Sequence, residues 1–373
     1  MKNLLKVFRS EEGRVKGQKP KINKRYIYIF AILSLFVLLS LFWLPINNSV
    51  NIPRAVMRDA AERMKEAMEA IRAYRRRENI KIDPVYDPNM TGLIGRENTA
   101  ITTTLGDLEA KRTTTNPDFA GLMVLLMKKA GVAKRESVAI GASGSFPGAI
   151  IATISAVEAI GARPVIIYSL GSSAWGANIL NLTALEVHRV LTRKGIIRSD
   201  IAGCSLGGRG DVASSMDKKV RRQLKRKIED SGTRLIFQPD LKRNVKTRMT
   251  IYERASDGGI GAFINIGGAV ANMGTSPKVL QLEAGLNNVN QLPPVDKRGT
   301  IFTMAARNVP IIHILNVKGL VLKYQLPWDP VPIPIPGHSK VYGEGANRSP
   351  WFWLLFSTYF GALITGLALL VRT

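Results

Sequence analysis

The chain has 373 residues, 46% of them hydrophobic and 22% charged, with 53 Lys and Arg against 28 Asp and Glu for a formal net charge of +25. This is enough apolar material for a substantial core in one large or two modest domains, and it excludes a disordered or low-complexity chain. The single cysteine, Cys204, excludes an internal disulfide framework, and three scattered histidines make a His-rich metal site an unsuitable reading.

The apolar residues are unevenly spread. Tyr26–Pro45 and Trp351–Val371 are uncharged runs of 20 and 21 residues. Each is long enough, as a helix, to cross about 30 Å of hydrocarbon. Nine Lys and Arg precede the first run, against only Glu11 and Glu12, so the positive-inside rule keeps that tail cytoplasmic. No small-residue cleavage site follows, which favours a retained signal anchor. The expectation is therefore a basic cytoplasmic tail at 1–25 and a transmembrane helix at 26–45. A juxtamembrane helix and linker follow at 46–90, then an extracytoplasmic α/β domain at 91–349. A returning transmembrane helix at 350–371 leaves 372–373 as a cytoplasmic end. The expected location is a bacterial cytoplasmic membrane, two spans, with the lipid bilayer as a partner and the main domain outside. A strongly basic outer domain points to an anionic partner such as a lipid headgroup, a cell-wall polyanion or an exported acidic polymer. An outside location argues against nucleic acid. The plain alternative is a basic surface that aids solubility.

In chain order, Pro53–Asn79 reads as a helix: it has Pro in its first turn and no internal Gly. Met57, Ala60, Met64, Ala67, Ile71 and Tyr74 form a seam at spacings of three and four. Such a helix either packs on its own domain or serves as a stalk for a homodimer, and its length favours the former. Arg75-Arg76-Arg77 closes it, where cations suit the helix dipole. Gly121–Lys129 reads as a covering helix. From Val138 the pattern alternates: strand 138–140, helix Pro147–Ile160 stopped by Gly161, strand Pro164–Tyr168, helix Thr183–Arg193 stopped by Gly195. Further strands are expected at Asp200–Cys204, Arg234–Phe237, Ala262–Ile266 and Pro310–Leu315. The pattern is that of an α/β fold with a predominantly parallel, doubly wound sheet.

Four strands end in small loops: Ser143, Gly144 and Ser145; Ser169–Ser173, with Ser172 and Ser173; Ser205, Gly207 and Gly208; and Gly267 with Gly268. Ligands of open parallel sheets bind at such strand ends, and loops of this composition expose backbone N–H groups to phosphate or carboxylate. The loops are accordingly candidate ligand-binding residues, with Lys111 and Arg112 of the Glu109–Thr113 segment. No dinucleotide fingerprint and no Walker A loop is present, and no recognised metal-ligand spacing occurs, so neither a cofactor nor a metal is expected. Arg209-Gly210-Asp211 spells an integrin-binding tripeptide, which a Gly-rich loop produces by chance. For chemistry, the loop serines are candidate nucleophiles, Ser143 and Ser145 first, although no G-x-S-x-G elbow is present. Lys111 is a candidate base, as in Ser–Lys amidases; His188 and His313 are the other bases, and His313 sits inside an apolar strand. The segment Asp217–Asp230 is a basic helix with Val220, Leu224 and Ile228 as its apolar stripe. Lys218, Lys219, Arg221, Arg222, Lys225 and Arg226 are its candidate polyanion-guiding residues; the alternative is an ordinary solvated face.

Several strings occur in a characteristic order: Thr91-Gly-Leu-Ile-Gly-Arg96, Leu108-Glu-Ala-Lys-Arg-Thr-Thr-Thr-Asn-Pro117, Ile140-Gly-Ala-Ser-Gly-Ser-Phe-Pro147, Ser169-Leu-Gly-Ser-Ser-Ala-Trp-Gly176, Ser205-Leu-Gly-Gly208, Ile264-Asn-Ile-Gly-Gly-Ala269 and Leu326-Pro-Trp-Asp-Pro330. Together they resemble the bacterial poly-gamma-glutamate system protein family. The resemblance implies poly-gamma-glutamate as the polymer handled in capsule biosynthesis, with the membrane ligase and export subunits of the same system as partners. It carries no catalytic residue over. The function expected is binding or handling of this polymer at the membrane through the Ser/Gly loops and the basic helix. The alternatives are a γ-glutamyl amide hydrolase or transferase with a serine nucleophile, or a structural scaffold of the ligase complex.

Overall fold

A computed structural model describes residues 32, 34–37, 53–257, 259–343, 354, 356–361 and 363–364. The chain divides into Val50–Gly345 and a second unit made of Met1–Ser49 and Ala346–Thr373. Among the described residues, no helix is long and apolar enough to cross a membrane. This corrects the expectation of two transmembrane helices, and with it the membrane location and the outward-facing domain that rested on them. Crossing needs about 20 consecutive apolar residues in one helix. Of 26–45 the described part is helical only at 32 and 34–37, and of 350–371 only at 354, 356–361 and 363–364. An uncharged run is not yet a continuous helix. The remainder of both runs, the tail 1–25 and the end 372–373 lie outside the described residues.

The unit Val50–Gly345 is built on seven strands: β1 (Ser137–Ser143), β2 (Arg163–Ser169), β3 (Ile201–Ser205), β4 (Leu235–Ile236), β5 (Ile260–Ile266), β6 (Gly285–Asn287) and β7 (Ile311–Ile314). Their order is β4-β3-β2-β1-β5-β7-β6, parallel except for β6 against β7. The helices in chain order are α1 (Arg54–Arg77), α2 (Leu108–Thr113), α3 (Asp118–Lys129), α4 (Pro147–Ile160), α5 (Ala184–Arg193), α6 (Lys218–Asp230), α7 (Leu241–Ala255), α8 (Val270–Met273), α9 (Thr300–Ala305) and α10 (Val317–Lys323).

Both sheet faces are buried, which explains why the strands are runs of Val, Ile and Ala rather than alternating sequences. Val138, Ile140 and Ala142 of β1 pack with Ile166, Ile264 and Ile312 under α3, α4, α5 and α6. Ala139 points the other way, with Val165, Ile167, Phe263 and Ile311, against Val245, Met249 and Tyr252 of α7 and Ile301 and Phe302 of α9. The chain runs outward from β1 through β2 and β3 to β4, then returns over the second face by α7 to β5 on the other side of β1. Strand order therefore reverses between β1 and β5. In open α/β sheets the crevice at this point, beyond the strand carboxyl ends, receives ligands.

The seam of α1 faces this unit's own core: Met57, Ala60, Met64, Ala67 and Ile71 are all essentially inaccessible, and the helix packs on α3 and α4. Tyr74 remains half-buried. Arg75 does more than suit the helix dipole. It is buried, and its Nη1 donates to the carbonyls of Gly92 (2.9 Å) and Ile94 (2.8 Å). Those residues lead into Gly95 and Arg96, which exchange backbone bonds with Trp175 at 3.0 and 2.8 Å. The first helix thus braces the loop after β2. Because Ile71 fills a closed seam, Ile71→Ala should lower stability by about 2–5 kcal/mol in a denaturant titration, as for other buried large-to-small changes. An unchanged midpoint would place this face outside the core.

Candidate active site

A cleft of about 550 Å³ opens over the β1–β5 switch point, lined among others by Asp107, Lys111, Ser143, Ser145, Phe146, Ser169, Ser173, Gly208, Arg209 and Gly268. A second cleft of about 560 Å³ lies at the opposite ends of the strands, around Arg163, Pro164 and Arg198. The chemistry-bearing loops converge only on the first.

Its central feature is a lysine and a serine. Lys111 Nζ lies 2.7 Å from Ser173 Oγ, and both residues are buried. The amine also sits 3.8 Å from the centre of the Phe146 ring. Burial pushes the Lys111 amine down to about 7, and nearby Asp107 opposes that shift. Near neutrality a large share of Lys111 is therefore a free base within reach of a hydroxyl. This is the arrangement that activates a serine nucleophile.

Local structure fixes both partners. Asp107 caps α2 by accepting from the Ala110 N–H at 3.1 Å. Arg112 grips Asp329 through both carboxylate oxygens, with Nε–Oδ1 at 2.7 Å, and the Asp329 N–H donates to Thr113 Oγ1 at 2.8 Å. The helix that carries Lys111 is thereby clamped to the Leu326–Pro330 segment. Close approach helps on the other side, since a Cβ on Gly148 would stand 2.5 Å from the Thr114 carbonyl oxygen. Ser173 is held by its own backbone: its N–H donates to Ser145 Oγ at 3.1 Å. Its neighbours Ser172 and Ala174 pair with Thr103 and Thr104 at 2.8 and 2.9 Å.

The other expected site residues take different positions. Ser145 lines the cleft as a hydrogen-bond acceptor for Ser173, and Ser143 is a buried floor residue beside Gly267. The hydroxyl at the lysine is that of Ser173, not of either. Ser172 turns inward to the carbonyls of Gly144 (3.0 Å) and Ser173 (2.9 Å). Gly207 approaches the β2 loop so closely that a Cβ would meet the Gly171 N at 2.5 Å. Gly208 and Gly268 line the cleft. Arg112 is committed to its ion pair. His188 is buried between the Tyr168 hydroxyl (3.0 Å) and the Ser199 carbonyl (2.8 Å), away from the cleft. His313 pairs with Asn265 at 3.0 Å, and burial pushes it down to about 4. On α6, Leu224 and Ile228 are buried, Arg221 is half-buried, and Lys218, Lys219, Arg222, Lys225 and Arg226 are exposed. This basic face begins just past Ser215, a cleft residue.

Beneath the cleft lies a group that sequence reading missed. Arg248 of α7 is fully buried, and its Nη2 lies 2.7 Å from Asp211 Oδ2, 3.0 Å from Ser169 Oγ and 2.9 Å from Ser205 Oγ. Asp211 also accepts from Ser169 (2.9 Å), Ser205 (2.8 Å) and Asn244 (3.0 Å). Ser205 is thus a structural residue rather than a cleft-facing one. Parallel register sets Ser143, Ser169 and Ser205 side by side at the ends of β1, β2 and β3. The fold and cleft define a doubly wound α/β protein with a Ser–Lys pair at its switch point. No family model, no curated protein and no solved structure matches this chain.

Removing one partner of a buried ion pair leaves the other uncompensated, which costs about 3–5 kcal/mol. Arg248→Leu should therefore destabilise the protein by that amount in denaturant unfolding. A loss under about 1 kcal/mol would show that the network does not support the strand ends.

Proposed function

We propose that this protein is a serine hydrolase or acyltransferase acting on amide bonds, with Ser173 as nucleophile and Lys111 as general base. The observation that carries this reading is the 2.7 Å contact between the buried Lys111 amine and the Ser173 hydroxyl. The resemblance in sequence supplies the substrate: the γ-glutamyl amide bonds of poly-gamma-glutamate. The exposed cations of α6, which follow the cleft residue Ser215 in the chain, suit a polymer with about one carboxylate per residue.

In the reaction, the neutral Lys111 amine takes the proton of Ser173 as Oγ attacks the amide carbonyl carbon. The resulting oxyanion forms beside the turn at Gly144–Phe146 and the amino end of α4, a helix of 14 residues whose dipole favours negative charge. The Lys111 ammonium then protonates the departing nitrogen, the C–N bond breaks, and an acyl ester remains on Ser173. Lys111, neutral again, activates water or a second amine to release the acyl group. Burial against Phe146 is what leaves the amine free of its proton near neutrality and so available as a base. Simple polymer binding without turnover is the competing reading, and the two differ in a measurable way.

A fluorophosphonate should label Ser173, and purified protein should shorten poly-gamma-glutamate. Ser173→Ala should abolish both, lowering turnover by about three orders of magnitude or more. Polymer binding with no shortening and no label would reject the enzyme. The rate should climb with pH and level off above about 7, as the lysine loses its proton.

Stability supplies an independent check on the lysine. Its amine is at about 7 when folded against an ordinary 10.5. Between those values the unfolded chain holds the extra proton, so folding is favoured as pH rises across that window. Lys111→Met should remove this rise, melt higher than wild type at pH 6 and lack turnover. A variant that melts lower at pH 6 would mean that the lysine is a structural cation.

A further inference from the structure

Among the residues lining the cleft, only Asp107, Lys111 and Arg209 carry ionisable side chains. With Lys111 neutral, one permanent cation and one anion remain. Both Asp107 and Arg209 are exposed to the cleft, and among the described residues Arg209 has no ion-pair partner. Asp107 caps α2 through Oδ1, which leaves Oδ2 for a ligand.

The position of Arg209 is built rather than incidental. It stands in the turn after β3, where Gly207, Gly208, Gly210, Asp211 and Ala213 all have φ between 53° and 72°. Asp211 and Ala213 are not glycines, so this backbone is costly and persists only if its surroundings enforce it. The enforcement is visible. Asp211 is held from below by Ser169, Ser205, Asn244 and Arg248, and the Ala213 N–H closes the turn on the Gly207 carbonyl at 2.7 Å. The same turn is stitched to the loop of Ser173 through the Gly171 N–H and the Leu206 carbonyl at 2.9 Å. An exposed guanidinium is thus carried by a braced backbone turn that lines the same cleft as Ser173. Its planar fork matches a carboxylate.

We infer that the cleft recognises the α-amino-acid head group of a terminal γ-glutamyl residue, Arg209 pairing with its α-carboxylate and Asp107 with its α-ammonium. This rests on the Ser–Lys reading for the reaction, and for the binding takes from it only an uncharged Lys111. A single cation set against a single anion suits a zwitterion better than a dianion, which Asp107 would repel. In a γ-linked chain every residue has an α-carboxylate, but only the amino-terminal one has a free α-ammonium. Recognition of both places the scissile bond at that end, so shortening proceeds one residue at a time from the amino terminus.

Calorimetric titration of the full chain carrying Ser173→Ala with glutamate, in both enantiomers, and with glutarate tests this directly. Glutarate keeps a carboxylate and lacks the ammonium. The better glutamate enantiomer should bind about tenfold or more tightly than glutarate. Adding Arg209→Gln should weaken glutamate about tenfold or more. Adding Asp107→Asn, which preserves a good helix cap, should shrink the glutamate–glutarate difference below about threefold. Equal affinities in the parent, no binding of either ligand, or indifference to either substitution would overturn the inference. Should this pattern appear while Ser173 resists the fluorophosphonate in the unsubstituted protein, the head-group site stands and the catalytic reading falls. Labelling without the pattern gives the converse.

Discussion

Burying an amine without a carboxylate beside it is the constraint on which the cleft depends. Lys111 has a hydroxyl and an aromatic face for company, and its nearest acid, Asp107, lies at the cleft's edge where it only softens the effect of burial. An ion pair at that position would hold the proton and remove the base. The surrounding structure serves to keep this unfavourable group dry and in place. Arg112 locks α2 to Asp329, Gly148 lets α4 approach, and the Ser173 loop is tied to Thr103 and Thr104.

Arg248 shows the opposite treatment of a buried charge in the same molecule. It sits one residue layer below the cleft floor, bonded to a carboxylate and two hydroxyls, with Asn244 accepting from its Nε at 2.9 Å. That charge is compensated and its role is to hold shape. An amine bonded to a hydroxyl above and a guanidinium held through Nε and Nη2 below are thus two treatments of a buried cation, the second leaving only its Nη1 without a partner among the described residues. Buried pairs seldom add net stability over apolar packing. Here the pair instead specifies the conformation of a backbone turn, since Asp211 is itself one of the left-handed residues.

Much of the sheet was legible in the sequence because its signals are local. Val, Ile and Ala runs bounded by Gly locate β1, β2, β5 and β7, and Pro147 with Gly161 frames α4 to the residue. Helix α7 escaped notice because Val245, Met249 and Tyr252 are diluted among Lys242, Arg243, Lys246 and Arg254. Arg248 was hidden with it, as no pattern distinguishes a buried arginine from a solvated one. Composition and strand ends were enough to make Lys111 and the loop serines candidates for one cleft, which Lys111, Ser143, Ser145, Ser169 and Ser173 do line. Which serine meets the lysine could not, because that is decided by how α2 docks on the β2 loop. The expected membrane spans are overturned among the described residues, where no helix is long and apolar enough to cross a membrane; absence of charge over 20 residues describes composition alone.

The two members of the dyad are separated by 62 positions along the chain. Between them run α3, β1, α4 and β2, so they meet only after a complete strand–helix–strand unit has closed and α2 has docked upon it. In an unfolded or half-folded chain the lysine is an ordinary solvated ammonium and the serine an ordinary alcohol. The Lys111–Ser173 contact is therefore a late product of folding, and whatever chemistry it supports is absent from a chain still being made.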